Sequence, residues 1–97
     1  MGTREEILNT LRTLKPELAI RYKVKEVGLF GSFVREDQAE GSDVDILVEF
    51  DSPIGFFKFL ELEEFLGERL GRRVDLVSKK ALKPRIGRRI LQEVVTV

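Results

Sequence analysis

The sequence predicts an α+β fold: a small mixed β-sheet with helices packed on it, in the order α-β-β-α-β-α. Three observations carry this. Apolar residues recur at helical spacing in the N-terminal segment, and the period changes to two in "VKEVGLFG" and "DVDILVEF". A long amphipathic run then separates the second of these stretches from a third short one, "RRVDLVS", which a strand-helix-strand unit explains.

Thr3 with Glu6 fits a capping box, and Ile7, Leu8, Leu11, Leu14 and Leu18 share one face. The first helix is therefore expected from Arg4 to Ala19, with Pro16 as a kink or break. "VKEVGLFG" is the first strand, ending at Gly31, and "DVDILVEF" the second, with "SFVREDQAEGS" between them as a turn plus a short helical piece. In "DSPIGFFKFLELEEFLGERLG", Asp51 or Ser52 serves as N-cap, Pro53 takes the first helical position and Gly71 stops the helix. Its apolar positions Phe56, Phe57, Phe59, Leu60, Leu62, Phe65, Leu66 and Leu70 cover more than the one stripe needed to pack on a sheet. Either they fill the core or one edge docks a partner. "RRVDLVS" is the third strand, and Ile86, Ile90 and Val94, spaced by four, mark a last helix beginning near Pro84.

At 97 residues the chain reads as one domain, 1–97, too short for a second lobe, so a bulky substrate has to be brought by a partner. The 42% apolar share, with seven Phe, supports a folded core. No apolar run approaches the roughly 20 residues that span a bilayer, and the opening "MGTREEIL" is charged, so a cytoplasmic protein without a membrane partner is expected. Absence of Cys removes thiolate chemistry, and absence of His removes the commonest general base and metal ligand. A formal net charge of zero and the lack of an aromatic-basic stacking platform argue against direct nucleic-acid binding. The charges are unevenly placed, however. Arg69 to Arg89 holds nine Lys or Arg and a single acid, Asp75, and is either a solvated face or a surface that meets polyphosphate or an acidic partner.

The chemistry concentrates on three carboxylates. Alternation along the second strand puts Asp43 and Asp45 on one face and Val44, Ile46, Val48 and Phe50 on the other, in the core. Two such neighbours repel, and a hard divalent cation bound through oxygen removes the conflict. Asp75 repeats the arrangement between Val74 and Leu76, so adjacency of the second and third strands brings three acids to one patch. Gly31-Ser32 ends a strand where a Gly allows close approach and the Ser hydroxyl and N–H can hold a phosphate oxygen. Arg35 can pair with a phosphate as a fork of donors. The combination suits two-metal phosphoryl-type transfer, one cation carrying a nucleotide triphosphate and the other activating the attacking oxygen, with Asp75 able to take the acceptor's proton. The other common phosphate and metal motifs, G-x-x-x-x-G-K-[ST], G-x-G-x-x-G and H-E-x-x-H, are missing.

Gly31-Ser32, ten residues, then Asp43-Val44-Asp45 resembles the G-S-x(10)-D-x-D signature of the DNA polymerase β nucleotidyltransferase superfamily in its minimal form. "GLFGSFVRE", "SDVDILVEF", "LGRRVDLVSKKALKP" and "RRILQEV" extend the similarity to minimal nucleotidyltransferase proteins over nearly the whole chain. Those proteins are the antitoxin partners of HEPN-domain ribonuclease toxins. The resemblance implies a polymerase β palm-like fold and Mg²⁺-dependent transfer of AMP from ATP to a tyrosine of a HEPN toxin bound in a hetero-oligomer. It implies that Asp43 and Asp45 hold two Mg²⁺ ions with Asp75 as third carboxylate, that Gly31 and Ser32 hold the triphosphate, and that Arg35 assists. Glu36 departs from the pattern, since such proteins often have Gly after the Arg, and it places an extra acid beside the phosphate site. The alternative is an antitoxin that neutralises by binding and masking alone.

Overall fold

A computed structural model describes residues 3–97. The first helix, α1, covers Thr3–Tyr22 and is followed by β1 (Val24–Phe30), a short α2 (Ser32–Arg35), β2 (Val44–Phe50), α3 (Phe56–Leu70), β3 (Val74–Ser78), α4 (Pro84–Glu93) and β4 (Val95–Thr96). The strands form one mixed sheet in the order β3-β2-β1-β4. β1 is antiparallel to both β2 and β4, whereas β2 and β3, joined through α3, are parallel. No helix among the described residues is long and apolar enough to cross a membrane.

Helix α1 buries every residue of its expected stripe, Ile7, Leu8, Leu11, Leu14 and Leu18, and adds Tyr22. It runs through Pro16 uninterrupted and three residues past the expected end, and Thr3 lies in its first turn rather than outside it as a cap. Under this helix, Val27 and Leu29 of β1 pair with Val48 and Ile46 of β2, and Val44 pairs with Val74 of β3, all of them buried. Leu62, Phe65 and Leu66 of α3 complete the same layer. The strand alternation therefore assigns one face of the sheet to α1 and α3, and leaves the other to Asp45, Leu47 and their cross-strand partners.

Two expectations about boundaries are corrected. Helix α3 begins at Phe56 with Gly55 as N-cap (φ 80°, ψ 165°), not at Pro53 after Asp51 or Ser52. The Asp51 N–H donates to the Lys23 carbonyl at 2.8 Å, which prolongs the β1–β2 ladder and ties the residue to the sheet. Gly71 does stop the helix, in the left-handed conformation (φ 65°), with its N–H on the Gly67 carbonyl. The last helix starts at Pro84 as expected, but the chain then turns into a fourth strand that was not anticipated. Val94, Val95, Thr96 and Val97 form a β-branched run that favours extended backbone. It pairs with Gly28 and Leu29, and Gly28 is needed there because a Cβ would lie 2.6 Å from Val94 Cγ2 and 3.0 Å from the Val95 carbonyl oxygen.

Candidate active site

The register of the parallel pair places Asp75 directly beside Asp45 on the face away from α1 and α3, with Phe30 on the far side of Asp45. This is the adjacency that the sequence required for a shared acidic patch. Asp45 is partly buried, and its carboxyl is pushed up from 3.8 to about 6, first by burial and then by the charges of Asp75 and Asp43. Asp43 stands one residue ahead of β2 rather than in it, and its Oδ1 pairs with Arg73 Nε at 3.2 Å across an exposed surface. Among the described residues, no three His, Cys, Asp or Glu side chains converge closely enough to hold a metal ion together. Asp45 and Asp75 are thus preset by register, while Asp43 leans away on a surface ion pair that water screens.

These residues fit divalent cations. The donor set is all carboxylate, the choice of a hard ion, and the mutual repulsion that raises Asp45 is the conflict that a dication bound there would relieve.

The Gly-Ser turn abuts this patch. Gly31 has φ 80° and ψ −154°, a region that is essentially restricted to glycine, and a Cβ on it would collide with the Asp45 carboxylate. The following four residues make the single turn α2, in which Val34 and Arg35 donate their N–H groups to the Gly31 carbonyl. Ser32 opens that turn, and its hydroxyl has no hydrogen-bond partner among the described residues. Arg35 is not free: Nη1 donates to Glu93 at 2.6 Å and Nε to Asp37 at 3.1 Å.

Glu93 is the residue that the sequence did not single out. It takes the Gly31 N–H at 2.7 Å as well as Arg35, so it sits among the groups that the sequence marks as candidates for holding phosphate. One signal was present. Glu93 is the last residue of α4, where the helix dipole disfavours an acid, and an acid there needs a compensating partner. Glu63 of α3 was also missed: it accepts the Leu76 N–H at 2.9 Å and so pins the edge strand next to Asp75. Of the basic segment, Arg73 pairs with Asp43, and Lys79 with Glu49 at 3.6 Å, on the rim of the same face.

Glu36 has a backbone explanation. It caps α2 in the left-handed conformation (φ 61°, ψ 31°), with its N–H on the Ser32 carbonyl and its side chain exposed. A non-glycine residue there carries roughly 1 kcal/mol of strain, which is why glycine suits the position. Glu36→Gly is expected to stabilise the fold by about 0.5 kcal/mol after the entropy of the freer unfolded chain is subtracted. That raises Tm by about 2–4 °C in thermal unfolding; an unchanged or lower Tm would show that position 36 is unstrained.

A nucleotidyltransferase domain model matches residues 11–97, which include every one of the site residues above. The chain belongs to the nucleotidyltransferase family. This nucleotidyltransferase is 52% identical over 97 residues to protein adenylyltransferase MntA of Thermococcus cleftensis, an alignment spanning 100% of this chain and 98% of the other. A solved minimal nucleotidyltransferase superposes with a TM-score of 0.81 at 33% identity, covering 100% of this chain and 97% of that one. The fold of this nucleotidyltransferase is thus the minimal form of the family, as the resemblance implied. A toxin–antitoxin structure with AMP-PNP matches at a TM-score of 0.70 and 25% identity, over 96% of this chain and 70% of that one.

Proposed function

We propose that this nucleotidyltransferase acts in the cytoplasm as the antitoxin of a HEPN/MNT pair, transferring AMP from ATP to a tyrosine of a HEPN ribonuclease toxin and so neutralising it. The observation that carries the reading is the Asp45–Asp75 register pair beside Gly31, with the burial and repulsion that leave Asp45 in want of a cation. The similarity to a protein adenylyltransferase, and to a toxin–antitoxin structure with a non-hydrolysable ATP analogue, supports the nucleotide and the class of partner.

In this reading Asp43, Asp45 and Asp75 anchor two Mg²⁺ ions, which supply charge neutralisation for the triphosphate and for the developing transition state. Asp43 exchanges its exposed Arg73 partner for that role. Gly31 and Ser32 seat the phosphates against the carboxylates, and Arg35, anchored by Asp37, turns a guanidinium N–H to them. The tyrosine oxygen attacks the α-phosphorus, its proton passes to Asp75, the bond from that phosphorus to the bridging oxygen breaks, and pyrophosphate leaves with the electron pair.

Neutralisation by binding alone is favoured by one feature. Phe56 and Phe57 at the start of α3 are 69% and 84% exposed and Leu60 is 41% exposed, a contiguous apolar edge of the kind that a protein partner covers. One experiment separates the readings: transfer of label from α-labelled ATP with Mg²⁺ onto the product of the adjacent gene, by the wild type and by Asp43→Asn. Label that vanishes in the variant, together with loss of neutralisation, is expected. Complex formation without label in either protein would make this a masking antitoxin.

A further inference from the structure

Glu93 joins the site to the C-terminal helix, and the chemistry above leaves it without a role. Its two oxygens divide between two donors, Oε2 on the Gly31 N–H at 2.7 Å and Oε1 on Arg35 Nη1 at 2.6 Å. Those are the donors that the Gly-Ser turn and the following Arg offer to a phosphate. To a donor, a carboxylate and a phosphate edge look alike: two anionic oxygens in a plane, suited to charge-assisted bonds.

Nothing local to α4 explains an acid at its C-terminal end, where the dipole opposes it. The compensation lies at the end of the neighbouring strand β1, at Gly31 and Arg35. A third contact suits Arg35 to such an exchange, because its Nε–H is held separately by Asp37 at 3.1 Å and does not depend on the bond from Nη1. Room exists for the displaced carboxylate, since a cleft of about 240 Å³ opens beside Glu93 between Gly31, Arg35, Ile86 and Arg89. Arg89 offers a positive charge within it.

We infer that Glu93 is a built-in competitor for the nucleotide: in the nucleotide-free protein its carboxylate occupies the anion position at Gly31 and Arg35, and an incoming triphosphate must displace it. The inference rests on the nucleotide reading above. Glu93 is a positioning residue in this scheme. It keeps the Gly31 N–H and the guanidinium directed at one point, and it excludes anions too weak to outcompete a tethered carboxylate.

Calorimetric titration of the full chain with Mg-AMP-PNP tests this in the wild type and in Glu93→Gln, which keeps the shape and loses the charge. The variant is expected to bind about tenfold more tightly, the scale of a charge-assisted bond no longer broken on binding. Equal or weaker binding by the variant, with clear binding by the wild type, overturns the inference and leaves the nucleotide reading standing. Binding by neither protein overturns the nucleotide reading, and the inference with it. A readout in the wild type covers a variant that fails to fold. The ¹³C resonance of the Glu93 carboxyl should shift as nucleotide saturates the protein, and a carboxyl that is unmoved at saturation overturns the proposal.

Discussion

Replacing Asp45 by Asn is expected to abolish nucleotidyl transfer while making the metal-free protein more stable. The loss of rate is at least about a hundredfold, the usual scale for removing one preorganised electrostatic partner of a transition state. The gain in stability has a definite pH window. The folded protein holds the Asp45 proton up to about pH 6, whereas the unfolded chain releases it near 3.8. Between those values the native state binds more protons than the unfolded one, so wild-type stability falls as pH rises through the interval, and the deficit is complete above it. Asn carries no such liability. Without screening the interval corresponds to ~3 kcal/mol; because Asp45 is only partly buried and its neighbours face water, about 1 kcal/mol is expected. Thermal unfolding should therefore give equal Tm values below about pH 4 and a variant about 4–8 °C more stable near pH 7.5. Mg²⁺ should narrow the gap by stabilising the wild type. A variant less stable than the wild type at pH 7.5 would mean that Asp45 is structurally satisfied in the metal-free fold and is not held there at a cost.

That trade between stability and chemistry was legible at the level of strands. Alternation alone put Asp45 and Asp75 on the face opposite Val44, Ile46, Val74 and Leu76, and the register then made the two acids direct neighbours. Alternation works here because Val44, Ile46 and Val48 of β2 and Val74 and Leu76 of β3 are all buried on one face, so a slip by one residue would drive a carboxylate into the core. Asp43 was less readable, since strand ends are set by hydrogen bonds and surface ion pairs that leave little trace in a period-two pattern. The contribution of the C-terminus could not be read from periodicity. Glu93 reaches Gly31 only because β4 folds back along β1, and two paired residues are too few to show a strand period. The start of α3 was lost to a long-range contact too, the Asp51 bond to Lys23, which outweighs the local capping signal of Asp51, Ser52 and Pro53.

Gly31→Ala should be the most damaging single methyl group that this chain can receive. Two independent effects converge on it. The backbone at φ 80° and ψ −154° is strained by about 1–3 kcal/mol for any residue with a Cβ. The added carbon would also fall on the Asp45 carboxylate, 2.9 Å from its Cγ and 3.1 Å from its Cβ. Because Asp45 is fixed in the middle of the sheet between Phe30 and Asp75, relief has to come from the turn, which would carry the Gly31 N–H and α2 away from the carboxylates. Transfer should be lost and Tm should fall by about 10–20 °C, the equivalent of roughly 2–3 kcal/mol in a chain of this size. A second substitution separates the two effects. In Gly31→Ala with Asp45→Ala the clash with the carboxylate is gone, while the backbone strain and a tight 3.1 Å approach to the Cβ of residue 45 persist, so part of the lost Tm should return, a coupling that a double-mutant cycle reads directly. Full additivity would show that the turn and the carboxylate do not touch. Coupling would establish that the close approach of backbone to Asp45 is why this position is glycine.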